Sequence, residues 1–273
     1  MKVIILRPGV RGATSHVVES LVVALRDRGV ESEQIHPAEF DADAPLPEAD
    51  IVVLKDKTPL GLEWGRRYHD RGVRTVSPYP MTALCRDKLA TNRALARAGL
   101  PVPECLAVAR PEDVLPMLAD GPVILKPVRG SQGRGITIVA DAAGLPDAFT
   151  GETLFAQRYF PPDGLDRKIY RIGDEIFCVE RIWPPETFSD KVGRLIELPR
   201  NVREIAMACG DALGGDIYGV DIIEHEGRPW IVDLSSFPGF KGVPEIGTRL
   251  AAAMLRSPDS ERPAAECLEA TRP

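Results

Sequence analysis

The sequence predicts an α/β protein of three lobes: an N-terminal lobe built on a parallel sheet, followed by two α+β lobes. Three observations carry this. Over the first 80 residues, short apolar runs alternate with helix-period stretches, as in a parallel sheet covered on both faces. A helical stretch then stops at Gly99, and Pro101 and Pro103 force an extended link that opens a new unit. Beyond residue 150, short apolar runs recur with one clear helix among them, the pattern of an antiparallel sheet backed by helices. At 273 residues and 44% hydrophobic content the chain has enough apolar surface for such an organisation.

Taken in order, residues 3–6 form an apolar run followed by a turn with Pro8, Gly9 and Gly12, and the periodic stretch 16–27 ends at Gly29, so the chain opens strand, loop, helix. A second apolar run at 51–54 follows the Pro/Asp-rich loop 40–50, then a helix at 60–70 and a short strand at 74–77. The first lobe ends near Pro80. A helix over 82–98 leads into the second lobe, with a strand at 104–109, a short helix at 112–119, and strands at 123–127 and 136–139 joined by a glycine-rich turn. Such a hairpin has the form of a lid whose glycines let backbone approach a ligand closely. The third stretch has apolar runs at 153–157, 168–172, 175–181, 219–223 and 229–234, with a helix at 202–213 before Gly214 and Gly215. Residues from 257 onward lack apolar periodicity and read as a frayed tail. Leu250, Met254 and Leu255 suit either internal packing or a second subunit, so an oligomer stays open.

The formal charge of −6 gives no basic face for nucleic acid or an anionic membrane, so negative ligands must be held by local basic clusters. The five cysteines are scattered and unpaired in pattern, which predicts reduced thiols and a cytoplasmic protein. The four histidines lack metal-ligand spacing, so a metal should be held by oxygen. No apolar run has the length of a signal peptide core or a membrane span.

Two constellations carry chemistry. In VILKPVRGSQGRGITIV at 123–139, Gly130, Gly133 and Gly135 free backbone N–H groups for phosphate oxygens, while Lys126 and Arg134 add charge. The common nucleotide-loop patterns GxxxxGK[ST] and GxGxxG opening a helix are absent. Taken alone, the hairpin reads equally as an ordinary turn. In YGVDIIEHEGRPWIVDLSSFPGFKGV at 218–243, Asp221 and Asp233 each fall inside an apolar run, and the runs are joined at Glu226 and Gly227. Carboxylates inside buried strands are costly unless a cation compensates, and two on adjacent strands could clamp Mg²⁺; solvated residues on an open face are the alternative.

Together these pieces resemble the ATP-grasp superfamily. The resemblance runs through RDKLATNRALARAGLPVP at 86–103, VILKP with its glycine-rich loop, FAQRYF at 155–160, DRKIYRIGDEIF at 166–177, and the GVD and VDLSSFPG pair. It implies an ATP-grasp fold with an N-terminal domain at 1–80, a central lobe at 81–150, a C-terminal lobe with the metal site at 151–256 and a tail at 257–273. It implies ATP and Mg²⁺, with Mn²⁺ as an alternative. Lys88 and Lys126 match phosphate-binding lysines, and Gly130, Ser131, Gly133, Arg134 and Gly135 the loop that folds over the phosphates. Gln157 and Tyr159 match the hinge that cradles adenine, Asp166 and Lys168 a DxR-like pattern with lysine for arginine, and Arg181 an arginine facing the γ-phosphate. Asp221, Asp233 and Ser235 match the metal ligands. Ser235 departs from the asparagine of the pattern and implies weaker metal binding there.

Within the superfamily the chain is similar to RimK-type carboxylate–amine ligases through Asp87–Lys88 and AGLPVP, and to the inositol phosphate kinase group through FPGFKGVPE and KIYRIGDEIF. The first implies amide formation through an acyl phosphate with release of ADP, and is the favoured reading. A small-molecule kinase is the alternative and an inactive nucleotide-binding relative the third. Arg7, Arg11, Lys55, Lys57 and Lys241 fall at strand C-terminal ends, where open α/β sheets place ligands, and suit an anionic small-molecule or peptide acceptor; each also reads as a solvated surface charge. Lys191 and Arg194 lie in a stretch, 186–198, expected as a loop that closes on substrate.

Overall fold

The computed structural model describes residues 1–9, 15–41, 43–129, 135–146, 148, 153–183, 187 and 192–256. Its first sheet is parallel, with strands β1 (Lys2–Leu6), β2 (Glu31–Ile35), β3 (Ile51–Leu54) and β4 (Arg74–Val76) in the order β2-β1-β3-β4. Both faces are covered, which is why β1 and β3 read as continuous apolar runs. Val3, Ile5 and Val53 enter a core with helix α1 (His16–Arg26); Ile4, Leu6, Val52 and Leu54 pack on the other face with Trp64 and Tyr68 of α2 (Pro59–Asp70). Thr58 starts α2, its Oγ1 accepting from the Gly61 N–H at 3.1 Å.

The helix expected over 82–98 is two helices, α3 (Tyr79–Leu84) and α4 (Lys88–Arg97). Asp87 is extended, at φ −112° and ψ 109°, and its carboxylate accepts from the Ala90 N–H at 2.9 Å. The cap restarts the helix and sets Lys88 at its first turn.

A second sheet is antiparallel: β5 (Cys105–Val108), β6 (Val123–Pro127), β7 (Thr137–Val139) and β8 (Leu154–Arg158), in the order β5-β8-β6-β7. The sequence reading grouped 153–157 with the third stretch; the structure inserts that strand between β5 and β6. A 3-10 turn at Pro111–Val114 and the single-turn α5 (Leu115–Leu118) cover its inner face.

The third sheet holds β9 (Leu165–Ile172), β10 (Glu175–Ile182), β11 (Arg194–Ile196), β12 (Ile217–His225) and β13 (Arg228–Ser235), in the order β11-β10-β9-β12-β13, all antiparallel. β11 lies inside the stretch expected as a loop. Helix α6 (Arg200–Leu213) packs on β9 and β12 and ends where Gly214 turns left-handed, at φ 71°.

The first and third sheets share one core. Tyr170, Ile172 and Ile217 join Leu250 and Met254 of the last helix, α7 (Ile246–Met254), which packs on α1. Leu250 and Met254 are fully buried within the chain. Ser77 Oγ donates to the Ile217 carbonyl and the Arg74 guanidinium to the Met254 carbonyl, at 2.8 Å for the latter. The four described cysteines are free, and no helix among the described residues is long and apolar enough to cross a membrane.

The α1–α7 contact depends on Gly247, where an added Cβ would lie 2.0 Å from the Ser20 carbonyl oxygen, a backbone atom that cannot move aside alone. Gly247→Ala should therefore cost about 2 kcal/mol through overpacking, read as a lowered midpoint in urea unfolding and a lower Tm.

Candidate active site

The site follows from strand register. Across the third sheet Lys168 of β9 lies opposite Asp221 of β12, and Asp221 opposite Asp233 of β13, so three chemically active side chains form one transverse row. Two residues earlier on β9 the period-2 alternation brings Asp166 to the same face, opposite Arg181 of β10. Lys168 Nζ sits 2.7 Å from both Asp221 oxygens, and Arg181 donates to Asp166. The row is closed from outside the sheet by Lys88, at the start of α4, whose Nζ is 2.7 Å from Asp233 Oδ1.

The register changes just beyond Asp221, so that Ile222 pairs with Ile231 and Val232 has no cross-strand partner. The carbonyl of Val232 instead accepts from Lys126 Nζ at 3.3 Å, while Gln157 Oε1 accepts from the same ammonium at 2.8 Å. Lys126 and Gln157 are diagonal neighbours on adjacent strands of the second sheet, so the Lys126–Val232 contact ties the second and third sheets across a cleft.

The cleft has a volume of about 400 Å³ and is lined by Lys88, Lys126, Lys168, Arg181, Asp166, Asp221 and Asp233, with Tyr159, Phe160, Trp183 and Ile223 on its apolar side. Polar groups converging in a largely apolar cleft are the form of a small-ligand site. Phe160, which the sequence reading did not single out, stacks on His225 at 4.9 Å and meets Trp230 at 4.7 Å, pinning the segment after β8 to the β12–β13 hairpin. It ends the FAQRYF segment, but its ring partners lie far along the chain and the segment alone does not announce them. Gly135 closes the hairpin at φ 70°, where a Cβ would come within 2.9 Å of Pro127.

The charges are held against solvation. Burial lowers the Lys126 ammonium to about 8, with Asp233 opposing and Lys88 reinforcing the shift. Burial acts to lower Lys168 as well, but the Asp221 carboxylate outweighs it and leaves Lys168 raised. Asp221 is itself raised by burial, against the pull of Lys168 and with the help of the Asp166 and Asp233 carboxylates. Carboxylates pressed together in this way favour an added cation.

Of the expected acceptor residues, Arg7 is buried at the end of β1 with Nη1 donating to Gln34 Oε1 at 2.6 Å, and Lys57 Nζ lies 3.4 Å from Ser235 Oγ. Lys55 Nζ reaches the Pro238 carbonyl at 2.9 Å, and burial followed by the Arg7 charge lowers it to about 8. Lys241 is exposed and does not line the cleft. Arg11, Gly130, Ser131, Gly133, Arg134 and Lys191 lie outside the described residues.

The donor set fits Mg²⁺ bound with a nucleotide. Asp221 and Asp233 stand opposite each other with Ser235 one pleat further along the same face, an all-oxygen set. Among the described residues no group of three or more His, Cys, Asp or Glu forms a metal cage, so an ion here would complete its shell from phosphate oxygens and water.

A family model described as RimK-like ATP-grasp domain matches residues 85–257. The chain is similar to a probable alpha-L-glutamate ligase 1 of Shewanella amazonensis, at 23% identity over 90% of this chain and 92% of that protein. It is also similar to the ribosomal protein bS6–L-glutamate ligase of Shigella boydii, at 27% identity over 77% of each. Among solved structures, the RimK domain protein ATP-grasp from Sphaerobacter thermophilus superposes with a TM-score of 0.73 at 18% identity, covering 94% of this chain and 100% of that one; the fold is the ATP-grasp fold.

Because the Lys126 ammonium is disfavoured on folding, the unfolded chain binds more protons between about pH 8 and 10.5, and this side chain's penalty is relieved as pH rises through that window. In urea unfolding, the stability of Lys126→Met relative to the unsubstituted protein should be greatest below pH 8 and should fall towards pH 10.5.

Proposed function

The chain belongs to the RimK-like ATP-grasp family, and on that premise we propose that it is an ATP-dependent carboxylate–amine ligase that forms an amide on a small molecule or peptide and releases ADP and phosphate. The observation that carries this reading is the transverse row Lys168–Asp221–Asp233 with Lys88 and Lys126 over it, facing one cleft. Both relatives named above are ligases that act with L-glutamate by name, which favours a carboxylate acceptor over the hydroxyl of a kinase.

Each residue then has a task. Lys88, Lys126 and Lys168 neutralise phosphate oxygens, and Arg181, steered by Asp166, faces the γ-phosphoryl group. Asp221 and Asp233 would hold Mg²⁺, whose chemistry is to withdraw charge from the phosphates. The apolar wall of Tyr159, Phe160 and Trp183 takes the adenine. At the C-terminal ends of β1 and β3, Arg7, Lys55 and Lys57 orient an anionic acceptor. A carboxylate oxygen of the acceptor attacks the γ-phosphorus and ADP leaves; the amine then attacks the acyl carbon, phosphate leaves and the amine gives up a proton. Catalysis here is positioning and charge neutralisation. The name of the bS6 relative supports a protein or peptide acceptor, with the incoming amine that of an amino acid.

The test is ADP release by purified protein with Mg·ATP across amino acids, peptides, inositols and sugar phosphates. Release that requires an amine, with a product heavier by one condensed amino acid, is the expected result. An acceptor that gains one phosphate and needs no amine would replace the ligase by a kinase. Asp233→Asn and Lys168→Met should each lower kcat/KM about 100-fold or more, since each removes charge stabilisation at the transferring group.

A further inference from the structure

The end of the metal strand carries an unexpected arrangement. Ser235 pairs across the ladder with Gly219, so at this pleat neither strand offers a carboxylate, and the Asp221–Asp233 pair lies two residues away along the ladder. A second divalent ion beside Ser235 would find one neutral hydroxyl. What stands there is a cation the chain already carries: Lys57, delivered by the loop after β3 of the N-terminal sheet, donates from Nζ to Ser235 Oγ at 3.4 Å.

Charge balance leads to the same place. Each cleft carboxylate is matched by a basic partner of its own: Asp166 by Arg181, Asp221 by Lys168 and Asp233 by Lys88. Lys126 and Lys57 differ, since their described hydrogen bonds go to neutral oxygens, Gln157 and the Val232 carbonyl for one and Ser235 for the other. Lys55, two residues from Lys57, likewise donates to neutral oxygens, the Phe237 and Pro238 carbonyls, so ammonium groups without a carboxylate partner are already in excess here before any metal arrives. A second Mg²⁺ would add to that positive excess in a part-buried site, where unpaired charge is costly.

Resting on the nucleotide reading above, we propose that Lys57 occupies the place of a second divalent cation, so that this protein takes one metal ion per nucleotide, held by Asp221 and Asp233, with Lys57 contributing the other positive charge from the N-terminal sheet. The charge then arrives only when the N-terminal sheet and the metal strand are apposed, which makes Lys57 part of the phosphate-binding machinery and not of the acceptor pocket alone. Ser235 is the small neutral partner that leaves room for the ammonium, in place of a ligand competing for an ion.

Manganese electron paramagnetic resonance tests this without turnover. Protein in excess over a β,γ-imido ATP analogue is titrated with Mn²⁺, and ions bound per analogue are counted. Two ions bridging phosphates lie about 3.5–4 Å apart and give an exchange-coupled spectrum, whereas one gives an isolated signal. The expected result is one uncoupled ion in the unsubstituted protein and the gain of a second, coupled ion in the double variant Lys57→Met/Ser235→Asn. Two coupled ions in the unsubstituted protein would overturn the proposal while leaving the nucleotide site intact, and so would a single ion in a double variant that still binds the analogue. Failure of the unsubstituted protein to bind the analogue would overturn the nucleotide reading and this proposal with it.

Discussion

The site depends on one constraint, the pairing register of β9, β12 and β13 that sets Lys168, Asp221 and Asp233 side by side. A slip of one residue on any of these strands would turn its charged side chain to the opposite face, where α6 packs on the apolar partners Ile169, Val220 and Leu234. The hydrophobic core therefore enforces the geometry of the row. The registry change after Asp221 adds a second effect, because it leaves the Val232 carbonyl to receive Lys126 and so couples the row to the facing sheet.

Around this row the protein concentrates positive charge in poorly solvated places. Lys55, Lys57 and Lys126 are each lowered to about 8, burial being the first cause in all three. Such groups oppose folding of the ligand-free chain and would gain from an anionic ligand, a differential that turns stability into binding energy. Scaffolding contacts far from the chemistry keep the parts in place: α7 on α1 joins the first and third sheets, and Phe160 between His225 and Trp230 joins the second to the third.

Much of this was legible in the sequence because the signals are local. Apolar runs marked β1, β3, β12 and β13, and an aspartate within each of the last two marked the carboxylates that line the cleft. What stayed hidden is either polar or long-range. β2, with the sequence ESEQI, buries little beyond Ile35 and is a strand because β1 pairs with it; β11 is short and largely exposed. The break between α3 and α4 was written in Asp87, a helix-capping residue, but the apolar period continues across it and masks the stop. β8 lies between β5 and β6 through pairings its own residues do not announce. The contact of Lys57 with Ser235 joins two lobes, and nothing in either segment alone encodes it.

In the proposed reaction the cleft activates a carboxylate by phosphorylating it. With the carboxylate substrate labelled by ¹⁸O at both oxygens, mass spectrometry of the phosphate released in the amine-complete reaction reads the chemistry directly. Phosphate carrying one ¹⁸O atom is the expected result, because the oxygen that attacked the γ-phosphorus departs with it. Unlabelled phosphate accompanying amide formation would contradict a phosphorylated carboxylate, and with it the role given to the Lys168–Asp221–Asp233 row.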